Sequence, residues 1–332
     1  MELVSIICPI YNEERFIDKC IQSILQQDIP ANQWELLLID GMSTDNTRSL
    51  IEAYQELHSN ILLLENPRRT APYAMNIGIR KAKGNFICRI DAHAEYPTNY
   101  VSTLRTHLIT LPNAKNVGPI LTTIPSNSSM KARAIAIACS HRFGVGNSYF
   151  RISSVNHPIA VDTTPFGFWE KSWFNKIGLF DEELTRNQDD ELNARTIQHG
   201  GKIYLIPHIS VTYYARETFL NHTKMFYQYG LFKPLVNKKI HKPATLRQFV
   251  PPLFVAGLII GPFIALTYMP LLWAYITIIG LYLCLNLFLA AKYKNIDLAI
   301  AFILMHIAYG IGYWKGMIKI IFKRSFVVTN NR

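Results

Sequence analysis

The chain lacks several patterns that define common protein classes. It has neither a G-x-G-x-x-G fingerprint nor a Walker-type lysine loop, so dinucleotide oxidoreductases and P-loop NTPases have no support. Its five cysteines form no C-x-x-C pair, which argues against a disulfide framework or a zinc site. Acidic residues almost vanish after residue 232: residues 233–332 hold 12 basic and one acidic residue, whereas residues 1–232 hold 22 of each. Because the first two-thirds is neutral, nucleic acid is not expected as a partner.

Charged residues are also absent from residues 249–291, a stretch of 43 residues. A bilayer-spanning helix needs about 20 apolar residues, so this stretch predicts two spans, at about 249–269 and 271–291. A buried helical hairpin of a soluble protein is the alternative. Basic residues flank both ends of the stretch: Lys233, Lys238, Lys239, Lys242, Arg247, Lys292 and Lys294. By the positive-inside rule, the sequence predicts a multi-pass protein of the cytoplasmic (inner) membrane with its N-terminal domain in the cytosol.

A third apolar segment, at about 297–322, ends among the basic residues Lys315, Lys319, Lys323 and Arg324. If this segment crossed the membrane, those residues would lie outside, against the positive-inside rule. If it is re-entrant or lies in the interface, they remain near anionic headgroups, and we predict this arrangement. The expected domains are a cytosolic domain at 1–218, an amphipathic interface helix and basic linker at 219–247, and a membrane domain at 248–332.

The N-terminal part alternates apolar strand-like runs with helical patterns. The strand-like runs are Val4–Pro9, Glu35–Asp40, Ile61–Glu65 and Gly84–Ile90, and the helical patterns are Phe16–Leu25, a segment ending near Leu57, and Tyr73–Lys81. This alternation predicts an α/β fold with a buried, doubly wound parallel sheet. Ligands of such sheets bind beyond the carboxyl ends of the strands.

Four short motifs follow these strands or open their helices. They are Pro9-Ile10-Tyr11-Asn12-Glu13, Ile39-Asp40-Gly41-Met42-Ser43-Thr44-Asp45-Asn46-Thr47, Asn76-Ile77-Gly78 and Asp91-Ala92-His93. Their order and spacing over about residues 3–220 resemble the family-two glycosyltransferases. The resemblance implies a Rossmann-like GT-A fold, a nucleotide-sugar donor such as UDP-glucose, and a nucleotide site formed by Pro9, Tyr11, Glu13, Asp40, Ser43, Asn76 and Asp91.

The resemblance also implies that Asp40 meets the base, that Asp91 lies beside the ribose and a divalent cation, and that His93 takes the second D-x-D position. A divalent cation would neutralise the diphosphate as it leaves. Oxygen ligands suit Mg²⁺, whereas an imidazole shifts the preference toward Mn²⁺, so the sequence leaves both open. An ordinary polar turn is the alternative interpretation of Asp91-x-His93.

A segment rich in aromatic residues and a cluster of carboxylates follow. Phe166, Gly167 and Trp169 are candidates for an acceptor shelf, because aromatic faces stack on sugars, and core packing is the alternative. Carboxylates at 189–191 open a helix, where the helix dipole tolerates them. Crowding of carboxylates also raises pKa and prepares a general base. The family resemblance implies that Asp189 is the base in an inverting reaction, and Asp190 is the alternative candidate for that base.

The segment from Phe219 to Lys233 has the pattern of an amphipathic helix at the membrane surface. Processive synthases of the family carry Q-x-x-R-W here, and this chain has Gln228-Tyr229-Gly230-Leu231-Phe232 instead, which favours addition of one sugar. Gln228 and Tyr229 are further candidates for acceptor contacts.

Four further segments complete the pattern: residues 186–193, Tyr213-Tyr214, Pro251-Pro252 and His306-x-x-Tyr309-Gly310-x-Gly312. With them, nearly the whole chain resembles the bacterial succinoglycan-type membrane glucosyltransferases. This implies transfer of one hexose to a polyprenyl-diphosphate-linked glycan in exopolysaccharide or capsule biosynthesis. A polyprenyl-phosphate glycosyltransferase is one alternative, and a membrane scaffold or transporter with a nucleotide-binding domain is another.

Overall fold

The structure is a computed structural model that describes residues 2–152, 155–243 and 245–326. The chain divides into two compact units. Among the described residues, the first unit contains 2–122 and 155–213, and the second contains 123–152 and 214–326.

The first unit is built on one mixed sheet. Its strands are β1 (Val4–Ile10), β2 (Trp34–Asp40), β3 (Ile61–Glu65), β4 (Phe86–Arg89), β5 (Ala94–Glu95), β6 (Ala114–Ile124), β7 (Ile159–Ala160), β8 (Phe168–Glu170) and β9 (Lys202–Tyr214). The order along the sheet is β3-β2-β1-β4-β8-β6-β9-β5, and β7 pairs with β9. The strands β3, β2, β1 and β4 are parallel, while β8 joins β4 antiparallel.

The described part of this unit has the α-helices α1 (Ile17–Leu25), α2 (Thr47–Leu57), α3 (Ala71–Lys81), α4 (Tyr100–Thr110), α8 (Trp173–Ile177) and α9 (Gln188–Gln198). Every residue of β2 is buried, and its side chains meet α3 and α8 in a core that includes Leu37, Met75, Trp169 and Phe174. Burial on both faces explains why the parallel strands are continuous apolar runs. The predicted α/β fold class and the first four strands are confirmed.

The second unit is helical. It contains α5 (Met130–Ser140), α6 (Arg142–Val145), α7 (Tyr149–Ile152), α10 (Phe219–Lys239), α11 (Val250–Ala265), α12 (Met269–Lys292) and α13 (Asp297–Ile321). Residues 123–152 therefore lie outside the unit to which the predicted boundary at 218 assigns them. The physical reason is α5, whose alanines Ala134 and Ala138 pack with Phe302 and Met305 of α13.

Among the described residues, three segments are long and apolar enough to cross a membrane: Leu246–Ala265, Met269–Lys292 and Asp297–Ile321. The first two correspond to the predicted spans. The third is one continuous helix of 25 residues. Helix α10 corresponds to the segment predicted as an amphipathic interface helix, and its residues from Leu231 to Val236 are buried.

Candidate active site

Two loops at the carboxyl ends of β1 and β2 are joined by hydrogen bonds. The amide of Asn12 donates to Ser43 Oγ at 2.8 Å, and the amide of Thr44 donates to Asn12 Oδ1 at 2.9 Å. The amide of Glu13 donates to Thr47 Oγ1 at 2.8 Å, which ties the first loop to the start of α2. The two motifs thus form one rigid framework at the edge where parallel sheets bind ligands.

Asp40, the last residue of β2, holds the second loop in place. Its side chain is fully buried. It accepts hydrogen bonds from the Ser43 hydroxyl at 2.5 Å and from Arg48 Nη1 at 2.8 Å. Its carboxylate therefore orders the loop through Ser43. Direct contact of Asp40 with the nucleobase requires Ser43 and Arg48 to move.

The end of β4 joins two carboxylates through one guanidinium. Arg89, the last residue of β4, is 6% exposed. Its Nη1 donates to Asp189 Oδ1 in the first turn of α9, and its Nη2 donates to Asp91 Oδ1 at 3.3 Å. Burial alone lowers the pKa of the Arg89 guanidinium, but Asp189 and then Asp91 outweigh that effect and raise it above its ordinary value. Arg89 is therefore a fixed positive charge between the two carboxylates.

Asp189, the candidate base, lies beside a charged partner and is still in contact with solvent. Its side chain is 31% exposed, and its other faces are enclosed by protein. Desolvation raises the pKa of Asp189, Arg89 lowers it, Asp91 and Asp190 raise it, and the net shift is upward. A carboxyl group with a raised pKa is a better proton acceptor when ionised.

The other two carboxylates of the cluster have different surroundings. Glu191 is buried and forms a pair with Arg195, whose Nη2 donates to Glu191 Oε2 at 2.7 Å. The same arginine donates to the backbone carbonyls of Ile177 and Leu179, so this pair fixes the chain before α9. Asp190 is half-buried. Glu191 is thus a structural carboxylate, whereas Asp189 and Asp190 are the two candidates for catalysis.

His93 and Asp91 lie on the same short loop after β4. His93 Nδ1 is 3.5 Å from Glu13 Oε1, and the amide of Asp91 donates to the Tyr96 hydroxyl at 2.7 Å. Within the described residues, no group of three or more His, Cys, Asp or Glu side chains could hold a metal ion. Two side chains fit a divalent cation only when the diphosphate and water supply the remaining ligands, which is the usual arrangement for Mg²⁺ with nucleotides.

Comparison with known proteins decides the family. The sequence model described as glycosyl transferase family 2 matches residues 5–178, which is more than half of the chain. The chain belongs to glycosyl transferase family 2. It is therefore a glycosyltransferase, and the resemblance seen in its motifs is confirmed.

Two relatives extend this result. The chain is 31% identical over 246 residues to the dolichyl N-acetyl-alpha-D-glucosaminyl phosphate 3-beta-D-2,3-diacetamido-2,3-dideoxy-beta-D-glucuronosyltransferase of Methanococcus voltae, covering 72% of this chain and 75% of that protein. It is 26% identical over 322 residues to the succinoglycan biosynthesis protein ExoA of Rhizobium meliloti, covering 94% of each.

Among solved structures, the mannosyltransferase PcManGT from Pyrobaculum calidifontis, in complex with GDP-Man and Mn²⁺, matches with a TM-score of 0.63 at 16% identity. The match covers 94% of this chain and 87% of that one. This similarity supports the GT-A-like fold of the family 2 domain.

Several predicted nucleotide residues lie on the framework of this family 2 enzyme. Pro9 and Tyr11 are half-buried at the end of β1, and the guanidinium of Arg69 lies 5.7 Å from the centre of the Tyr11 ring. Glu13 is buried and faces His93, as described above. Tyr11, Glu13, Ser43 and His93 therefore come from three loops at one edge of the sheet.

Asn76 has a different place from the one that the family resemblance implies. Its side chain is 2% exposed. It donates to the Phe180 carbonyl and to Glu182 Oε1, each at 2.9 Å, and it accepts from the Phe180 amide at 2.9 Å. The amide thus fixes the 180–182 loop onto α3, and its polar atoms are engaged there.

The two aromatic residues of the expected acceptor shelf are buried. Phe166 is 4% exposed and Trp169 is 2% exposed, and Trp169 packs on Phe174 and Phe180 in the core. Core packing, the alternative interpretation, is what the structure shows. A side chain at Gly167 would meet Trp169 at 2.2 Å, so this glycine permits close packing. Gln228 and Tyr229 lie on α10 in the second unit.

Arg89 is the residue that motif analysis missed. The signal was present in the sequence, because Arg89 is the one charged residue in the apolar run from Phe86 to Ile90. An arginine in a buried strand is costly unless it is paired. That cost points to a carboxylate partner.

Proposed function

We propose that this family 2 glycosyltransferase transfers a single hexose from a UDP-sugar to a polyprenyl-diphosphate-linked saccharide, with inversion, in exopolysaccharide or capsule assembly. The observation that carries the proposal is the Asp91–Arg89–Asp189 arrangement at the carboxyl edge of the sheet. It places Asp91, a candidate for the donor-diphosphate site, beside Asp189, the candidate base. Relatives named for succinoglycan biosynthesis and for transfer to a dolichyl-phosphate-linked sugar support a lipid-linked saccharide as acceptor.

The residues support a one-step transfer. In the proposed reaction Asp189 accepts the proton of an acceptor hydroxyl, whose oxygen bonds to the anomeric carbon as the bond from that carbon to the diphosphate breaks. Asp91 and His93 would hold a divalent cation, Mn²⁺ or Mg²⁺, which supplies charge neutralisation for the departing diphosphate. Tyr11, Glu13 and Ser43 bind the nucleoside, and Asp40 orders their loop. Attack opposite to the leaving group inverts the anomeric configuration.

A polyprenyl-phosphate acceptor is the competing proposal from the same chemistry. A phosphate is already ionised and needs no base, so a carboxylate with a raised pKa at position 189 favours a hydroxyl acceptor. The scaffold or transporter alternative is not supported, because the chain belongs to a family of enzymes.

The way α10 lies along α13 supports a proposal for the membrane arrangement. His222 Nε2 is 3.2 Å from the Ala301 carbonyl oxygen, and side chains at Gly312 and Gly316 would meet the backbone of Tyr227 and Leu231. Helix α10 carries polar residues along its length: Asn221, His222, Lys224, Gln228, Lys233 and Asn237. A hydrocarbon environment around α13 would bring these polar residues into the bilayer at high cost.

We therefore propose that the α11–α12 hairpin enters the bilayer and that α13 lies at its cytosolic interface. The exposed side chains of the hairpin support this, since they are large and apolar, among them Leu253, Ile260, Phe263, Trp273, Ile278 and Leu281.

Transfer assays test the function. Membranes containing the protein are incubated with labelled nucleotide sugars and extracted polyprenyl-linked saccharides. We expect one sugar nucleotide to label the lipid fraction, and we expect membranes with Asp91→Ala to lose that label. Labelling of a bare polyprenyl phosphate, but not of lipid-linked saccharides, would establish the competing proposal instead.

A further inference from the structure

The Arg89 guanidinium binds two carboxylates from separate parts of the chain. Asp91 follows β4 directly, whereas Asp189 is a hundred positions away in the first turn of α9. Arg89 Nε is buried and has no hydrogen-bond partner among the described residues. The two terminal nitrogens of Arg89 thus bind carboxylates, while Nε remains unsatisfied. We conclude that the main role of this side chain is to hold the two carboxylates.

Arg195 shows what a structural arginine looks like in the same unit. Its Nε and Nη2 both bind Glu191, and its Nη1 and Nη2 bind the carbonyls of Ile177 and Leu179. Each nitrogen is engaged, and of its four acceptors two belong to Glu191 on α9 and two are backbone carbonyls on the chain that leads into α9. Arg89 differs because it connects the sheet to α9 through side chains alone.

The carboxylate of Asp189 is held at one oxygen only. Arg89 binds Oδ1, and Oδ2 has no hydrogen-bond partner among the described residues. With 31% of the side chain exposed, an incoming hydroxyl can reach this carboxylate, and Oδ2 is the oxygen that Arg89 leaves unbound. The planar guanidinium holds its donors in a fixed geometry, so Nη1 on Asp189 and Nη2 on Asp91 set the two carboxylates relative to each other, which a flexible ammonium does not do as well.

We propose that Arg89 is a positioning residue for the transfer reaction: its guanidinium fixes Asp189 relative to Asp91, so that Asp189 Oδ2 meets the acceptor hydroxyl beside the donor diphosphate. This inference rests on the proposed role of Asp189 as base. A misplaced base costs about a hundredfold in rate even when substrates still bind. Loss of Arg89 should therefore lower kcat and leave the KM for the donor nearly unchanged.

A double-mutant cycle tests the inference. The variants Arg89→Gln, Asp189→Asn and the double variant are compared by kcat and donor KM at saturating acceptor, with turnover normalised to donor-binding sites. If Arg89 acts through Asp189, Arg89→Gln lowers kcat about a hundredfold, and the double variant is no slower than Asp189→Asn alone. Losses in kcat that multiply in the double variant would overturn the inference.

Arg195→Gln is the matched control, because it also removes an arginine from its pair with a carboxylate of α9. Its loss of kcat should be small and should multiply with that of Asp189→Asn, while its melting temperature falls. A kcat for Arg195→Gln as low as that of Arg89→Gln would show that general loosening of α9, not positioning by Arg89, explains the effect.

Arg89→Lys keeps the measurement informative if Arg89→Gln does not fold. A lysine retains the positive charge but reaches one carboxylate at a time. We expect Arg89→Lys to fold and to have a kcat between those of the wild type and Asp189→Asn. Wild-type kcat in Arg89→Lys contradicts the inference. Wild-type kcat in Asp189→Asn contradicts the base assignment itself, so the two failures are distinguishable.

Discussion

Asp189 and Asp190 are adjacent in sequence and differ in their surroundings. Asp189 is gripped by Arg89, while Asp190 is half-buried in the same first helical turn. We expect Asp189→Asn to lower kcat by about 10²- to 10⁴-fold, the range typical of a lost general base, and Asp190→Asn to lower it far less. Steady-state kinetics with matched donor binding checks this expectation. The reverse order of the two effects would make Asp190 the base.

The pH dependence of turnover provides a second check on Asp189. The base works when ionised, and burial raises the pKa of Asp189 above that of an ordinary aspartate. Activity is therefore full above the raised pKa and is lost as the pH falls through it. We expect the acidic limb of kcat/KM to lie above the ordinary aspartate range and to vanish in Asp189→Asn. An acidic limb that persists in this variant would belong to another group.

The strands near the site were predictable because burial on both faces leaves a simple signature of consecutive apolar residues. The roles of single side chains were less predictable. Trp169 and Asn76 look functional in a motif, and only the tertiary structure shows that one fills the core and the other clamps a loop. Arg89 required a partner a hundred positions away, which a local pattern does not reveal.

At the scale of elements, α10 and α13 cross closely through glycines. Side chains placed at Gly230, Gly312 and Gly316 would lie 2.0, 2.2 and 2.3 Å from backbone oxygens of the facing helix. Small residues at such crossings let backbones approach, as in membrane helix pairs. This contact could not be predicted from the sequence, because α10 has the pattern of a separate amphipathic segment.

Gly312→Leu tests this crossing. The added side chain must push α10 and α13 apart, and overpacking of this kind costs about 1–3 kcal/mol. We expect a lower melting temperature for the detergent-solubilised protein. Gly280→Leu on α12 is the control, because a Cβ there has no atom within 4 Å and leucine suits an apolar surface. Equal melting temperatures for both variants would show that the crossing does not limit stability.

At the scale of the whole molecule, the excess positive charge belongs to the flanks of the apolar helices. Residues 233–332 carry 12 basic residues and one acidic residue. Chain composition predicted a membrane-associated region, and three sufficiently long apolar helices agree with it. Composition alone could not decide whether α13 spans the membrane or lies at its interface. Its apolar length equals that of a span, whereas its packing against the polar helix α10 favours the interface.

Cysteine labelling distinguishes these arrangements for α13. Single cysteines are placed in a Cys284→Ser background at Lys294 and Ser325, which flank α13, and at Thr267 between α11 and α12. An interfacial α13 leaves positions 294 and 325 reactive from the same side of sealed vesicles, with position 267 differing from both. Labelling of 294 and 325 from opposite sides would establish a spanning α13.

The central claim is transfer of one hexose with inversion to a lipid-linked saccharide, and the product itself is its most direct test. Purified protein in nanodiscs is given the donor that labels the lipid fraction and a defined polyprenyl-diphosphate-linked saccharide, and the product is analysed by mass spectrometry and NMR. The account predicts a mass increase of one hexose and an anomeric configuration opposite to that of the donor. A polymeric product, or a retained configuration, would contradict it.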